Sequence, residues 1–161
     1  MRALDLVVAY ESVTVDSDAL DAARLLAEHR LPALLVLDES GEPRAILPAS
    51  QMIEILVPGY VVEDPTLAAV VDEQHADRLC EALADRRVGD CFPADAGPPP
   101  VADAHDTALE VAALMARVRS PLVAVSATDK GGGRRLLGAI TASHLLAELL
   151  RGRTSAGGSS G

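Results

Sequence analysis

Five polar side chains crowd residues 134–144: Arg134, Arg135, Thr141, Ser143 and His144. Thr141 and Ser143 stand where a helix begins, and the N–H groups and dipole of a helix start favour a phosphate. The Thr141 hydroxyl is equally suited to cap that helix, so both readings stand. Arg134 and Arg135 offer cations to an anion across a cleft, or form a solvated turn. His144 suits a ribose contact or pH-tuned binding, or simply lies exposed on a first helical turn. Ser50 and Gln51 occupy the matching place in an earlier stretch, because Ala49-Ser50 repeats as Ala142-Ser143. Arg30 and Arg119 are a second matched pair, either facing a cleft or complementing a helix dipole.

Other chemistry is poorly represented. His75 and Cys80 are five apart, which puts them on different faces of a helix, and with Cys91 they make no structural zinc set. Cys91 stands where Leu6 stands earlier and reads as a small core residue. Gly131-Gly132-Gly133 lacks the Gly-Lys-Ser/Thr end of a phosphate loop and reads as a hairpin loop. No Ser/His/Asp order and no paired acids in a recognisable context are present, so catalysis is not expected.

The bulk properties narrow the field further. The chain has 161 residues, 49% of them apolar, which is enough for a sizeable core. Aromatic residues make up only 2%, so no base-stacking platform for nucleic acid exists. The net charge of −10 opposes binding to nucleic-acid backbone or an anionic membrane. No apolar run reaches bilayer length, and Asp5 falls too early for a signal peptide. A soluble, cytoplasmic chain without direct membrane insertion is expected.

The elements that must position these groups come from a repeat. Residues 19–36 and 108–125 align without a gap at an offset of 89, and Ala19, Leu20, Ala23, Leu25, Ala27, Arg30, Pro32 and Val36 recur unchanged. Each copy reads as β-α-β-β-α. Asp18 caps a helix with Ala19, Ala22, Ala23 and Leu26 on one face, and Thr107 with Glu110 forms a capping box before Ala108, Val111, Ala112 and Met115. Leu34–Leu37 and Leu122–Val125 are short buried strands. Closing strands run over Ala45–Leu47 and from Leu136, with helices over Pro48–Leu56 and up to Leu150. The offset of the closing helices is 93, so the second hairpin carries four extra residues. Leu4-Asp5-Leu6 also matches Gly89-Asp90-Cys91. The expected fold is α/β (α+β): two repeats at 1–57 and 88–151 about a pseudo-twofold axis, a linker at 58–87 with a helix over Thr66–Arg87, and a disordered tail at 152–161.

The Val15-Asp16 and Val101-Ala102-Asp103 segments before capped Ala-Leu helices resemble a known pattern. So do Glu28-His29, Leu35-Val36-Leu37-Asp38, and Gly138-Ala139-Ile140-Thr141-Ala142-Ser143, which is similar to Gly-h-h-Thr-x-x-Asp (h, apolar). Together they resemble a tandem pair of cystathionine-β-synthase (CBS) domains, the Bateman module, over about residues 1–56 and 88–150. The resemblance implies a regulatory module rather than an enzyme. It implies an adenine nucleotide (AMP, ADP or ATP) or S-adenosylmethionine in an inter-repeat cleft, a homodimer, and control of a partner enzyme, channel or transporter. The family acid that accepts ribose hydroxyls is His144 in copy two and Gln51 in copy one, and the family Thr is Pro48 in copy one. The implied ligand residues are therefore Thr141, Ser143, His144, Arg134, Arg135, Ser50 and Gln51, with the site expected on the copy-two side. The alternative is a pair that has lost its ligand and serves as a dimerisation or partner-binding scaffold.

Overall fold

The computed structural model describes residues 1–57, 66, 80–92 and 96–157. The first half comprises α1 (Ala3–Leu6), β1 (Ser12–Thr14), α2 (Ala19–Glu28), β2 (Ala33–Leu37), β3 (Pro43–Pro48) and α3 (Ala49–Leu56). The second opens with a 3₁₀ turn at Val88–Cys91. It continues through β4 (Val101–Asp103), α4 (Ala108–Val118), β5 (Leu122–Thr128), β6 (Arg134–Thr141) and α5 (Ala142–Gly157).

Each half builds a three-stranded sheet, ordered β1-β2-β3 and β4-β5-β6, with the first pair parallel and the second antiparallel. The registers repeat as well. Ser12 faces Leu35 and Val101 faces Ala124, while Leu35 faces Ile46 and Ala124 faces Ala139. Both sheets break register after the same position, Val36 or Val125. The helices start as their caps dictate. The Asp18 carboxylate accepts from the Asp21 N–H at 3.3 Å. Thr107 and Glu110 bond reciprocally at 3.2 and 2.7 Å. Ala19, Ala22 and Leu26 bury one face of α2, and Ala108, Val111 and Met115 the same face of α4.

The halves are joined by an exchange. The α1 turn docks on the second half, where the Ala3 N–H donates to Asp106 O (2.7 Å) and the Leu4 N–H to Ala104 O (2.9 Å). The Val88–Cys91 turn docks on the first half in the same way, Val88 N–H to Ser17 O (2.8 Å) and Gly89 N–H to Val15 O (2.9 Å). Asp5 and Asp90 each accept from the N–H of the arginine that opens their turn, Arg2 and Arg87. Those guanidinium groups then donate to carbonyls of the opposite half, His105 O and Asp16 O. Ala3 and Leu6 complete the core around Val111, Val123 and Ile140, and Val88 and Cys91 complete the one around Ala22, Leu34 and Leu47. Such reciprocity is what an approximate twofold produces. A third cluster, Ala33, Leu122 and Ala139 with Tyr10 and Ile46, lies where the two sheets meet.

Two expectations need correction. The linker helix does not run to Arg87. A 3₁₀ turn covers Cys80–Ala82, and Asp85 takes a left-handed φ of 61°, which stops a helix. The part of that helix at 67–79 lies outside the described residues. The expected disordered tail is helical as far as Gly157, with 158–161 outside the described residues. Helix propagation from a nucleated start tolerates one interior glycine, Gly152, at a cost of about 1 kcal/mol, and α5 is well anchored by buried Leu145.

Gly138 is fixed by a close approach. Its φ is 150°, and a Cβ there would meet Val8 O at 2.1 Å, because the Val8 and Ala139 main chains exchange hydrogen bonds of 3.1 and 3.0 Å. Gly138→Ala is expected to lower unfolding free energy by about 3 kcal/mol. Urea unfolding of the variant beside the native chain measures this, and equal midpoints would contradict it.

Candidate functional site

The site follows from how each half leads into its first strand. Arg2 and Arg87 are 85 positions apart, but Ser12 and Val101 are 89 apart, so the second lead-in is four residues longer. The short first lead-in lies directly on β6, with Val8 bridged to Ala139 and the Tyr10 hydroxyl donating to Ala33 O at 2.7 Å. Burial pushes the Tyr10 pKa up, against the opposing effect of the Ala33 hydrogen bond, so the ring stays a neutral donor. The longer second lead-in ends in Gly97-Pro98-Pro99-Pro100, and Pro99 takes the place of Tyr10. Prolines have no N–H with which to extend a ladder. Where β6 carries Gly138-Ala139, β3 carries Ala45-Ile46, and a cavity of about 300 Å³ opens beside them.

Its walls come from both halves. β3 and α3 supply Ala45, Ile46, Pro48 and Gln51. The second half supplies Phe92, the residues 96–100, and the end of α4 from Val118 to Pro121. The lining is mainly apolar, as a site for a planar base requires, and the volume is at the lower end for small-molecule pockets. Gln51 is half-buried, and its amide donates to Cys91 O at 3.3 Å. That bond spends an amide hydrogen on the exchanged turn and leaves the side-chain carbonyl oxygen as an acceptor. Ser120 turns the chain after α4, its hydroxyl donating to Leu122 O at 2.6 Å.

Of the residues expected to bind a ligand, Gln51 alone lines this cavity. Ser50 is its exposed neighbour on the first turn of α3. Thr141, Ser143 and His144 do come together at the start of α5. The Thr141 hydroxyl accepts from the His144 N–H at 3.2 Å and lies 3.4 Å from the Ser143 hydroxyl. Thr141 is therefore a helix cap. Arg134 and Arg135 do not join them. They begin β6 and Thr141 ends it, and seven extended residues span roughly 23 Å. Arg134 instead lines a cavity of about 70 Å³ with residues 41–43, Val101 and Ser126. The larger cavity thus lies with copy one, whereas the sequence expectation favoured copy two. The signal that pointed to it was the proline run at 98–100, which reads as a plain loop until its partner strand is known.

Nothing among the described residues gathers three His, Cys, Asp or Glu side chains for a metal ion. Cys91 is buried, and burial pushes its thiol pKa up against the pull of Arg86. No helix among the described residues is long and apolar enough to cross a membrane.

Known proteins share this architecture. The family model for the CBS domain matches residues 5–58 and 88–151. A CBS domain-containing protein of unknown function from Kribbella flavida is 46% identical, with 93% of this chain and 99% of that one covered and a TM-score of 0.79. The CBS-pair protein CBSX2 from Arabidopsis thaliana is 16% identical over 95% of this chain and 96% of its own, at a TM-score of 0.69. CBSX2 in complex with AMP is 15% identical over 94% and 98%, at 0.63. The last two likenesses establish the fold alone. No curated protein sequence matches the chain. With the family model covering both repeats and the fold shared throughout, the chain belongs to the CBS domain family, as a tandem pair.

Proposed function

We propose that this CBS pair is a regulatory module that binds an adenine nucleotide or related adenosyl ligand. AMP, ADP, ATP and S-adenosylmethionine are the candidates. The ligand occupies the cleft between Gln51 and the 118–121 segment, and its binding controls a partner protein (an enzyme, channel or transporter). The observation that carries this reading is the cavity of about 300 Å³ walled by both repeats. A ligand held there touches β3, α3 and the end of α4 at once, so it favours one relative placement of the repeats over others. That differential affinity is what regulation requires. The AMP complex of CBSX2 supports the choice of ligand class. The role is regulatory rather than catalytic.

The replacement of the family acid by Gln51 and His144 favours a second reading, a pair that works as a scaffold without ligand. The readings separate in a thermal-shift panel of AMP, ADP, ATP, S-adenosylmethionine and cyclic dinucleotides. Ligand at a hundredfold excess over its Kd adds about 2.7 kcal/mol. A rise in Tm with at least one adenine compound is expected, and no shift with any of them at millimolar concentration would leave the scaffold reading.

Both readings include a homodimer. Ile53 on α3 and Leu146 on α5 stand at equivalent positions of the two repeats, and both are exposed, at 59% and 56%. Leu149 and Leu150 extend the apolar face of α5. A second copy of the chain would cover both faces at once. Light scattering after size exclusion is expected to give twice the chain mass of 16.7 kDa. The Ile53→Glu, Leu146→Glu double variant is expected to run as a monomer, and a native monomer at high concentration would contradict the dimer.

A further inference from the structure

The helices α2 and α4 both end at an arginine in the left-handed region, Arg30 with φ 50° and Arg119 with φ 53°. Glycine is the residue that fits such a helix end without strain, since any Cβ there crowds the backbone. A side chain kept at a strained position where glycine would be more stable calls for a use. Arg119 has one within reach. It lines the large cavity, and among the described residues it is the only charged one that does so. Its guanidinium makes no ion pair or hydrogen bond among the described residues. In a chain of net charge −10, the cavity therefore presents, among the described residues, one cation without an acidic partner beside a largely apolar wall. Arg30, its counterpart in the first repeat, does not line that cavity.

We infer that Arg119 is the specificity-determining residue of the cleft, and that it selects a ligand carrying a phosphate over the uncharged nucleoside. The inference rests on the reading that the cleft is a ligand site. The fork of N–H donors on a guanidinium matches phosphate oxygens in pairs. The apolar walls, with Ile46 and Phe92, suit the base, and the Gln51 carbonyl oxygen is the acceptor available for ribose hydroxyls.

The test compares AMP with adenosine by calorimetry on the native chain and on Arg119→Gly, Arg119→Lys and Arg30→Gly. Glycine relieves the backbone at both positions, so neither glycine variant is expected to lose Tm. Arg119→Gly is expected to weaken AMP about tenfold or more and to leave adenosine unchanged. Arg119→Lys retains the preference for AMP in part, and Arg30→Gly binds both compounds as the native chain does. AMP affinity unchanged in Arg119→Gly, or an equal loss for adenosine, would overturn the role of Arg119 while leaving the cleft a ligand site. A native chain that binds AMP and adenosine equally would do the same. A native chain that binds neither at millimolar concentration would remove the ligand reading itself, and this inference with it.

Discussion

The exchange of N-terminal turns is the constraint on which the rest of the molecule depends. Each repeat lacks one part of its core, and the other repeat supplies it: Ala3 and Leu6 in one direction, Val88 and Cys91 in the other. Burying Leu6 alone contributes roughly 2 kcal/mol, and the carbonyls of the β-to-α connections, Ala104, Asp106, Val15 and Ser17, accept from N–H groups of the exchanged turns. Neither half closes its own core. The exchanged turns tie the two sheets to each other, so a change in how the repeats sit is felt at the walls of a cleft between them.

Within that frame, small differences between the copies decide where space is left. Four extra residues and three prolines keep the second lead-in from lying along β3 as the first lies along β6. Gly138 and Ala45 mark the same difference from the other side. Position 138 has no room for a Cβ because Val8 crosses it, whereas Ala45 carries one and borders the cavity. The approximate twofold is thus broken at this place, and the repeat that departs further from the family motif, with Pro48 and Gln51, is the one that borders the larger described cavity.

Much of the fold was legible in the residues because local and global signals agreed. The caps at Asp18 and Thr107, the stripes on α2 and α4, and the match of Leu4-Asp5-Leu6 to Gly89-Asp90-Cys91 each rest on spacing within one short segment. The site was less legible because it rests on contacts between segments. Arg134 and Thr141 are close in sequence, yet an extended strand sends them to opposite ends of β6. Pro98-Pro99-Pro100 carries no chemistry of its own and acquires meaning only from the strand it fails to pair with. The duplication of Arg30 and Arg119 was visible from the start. Their left-handed conformation, and the placement of Arg119 alone against the cavity, were not.

Isoleucine methyl NMR tests directly whether ligand enters the cleft beside β3. The chain holds four isoleucines, at 46, 53, 55 and 140. Ile46 lines the cavity, and Ile140 is buried next to Thr141 in the other repeat. Titration with AMP is predicted to move the Ile46 methyl resonance saturably while Ile140 holds its position. Movement of Ile140 with Ile46 unchanged would contradict the account and return the site to copy two.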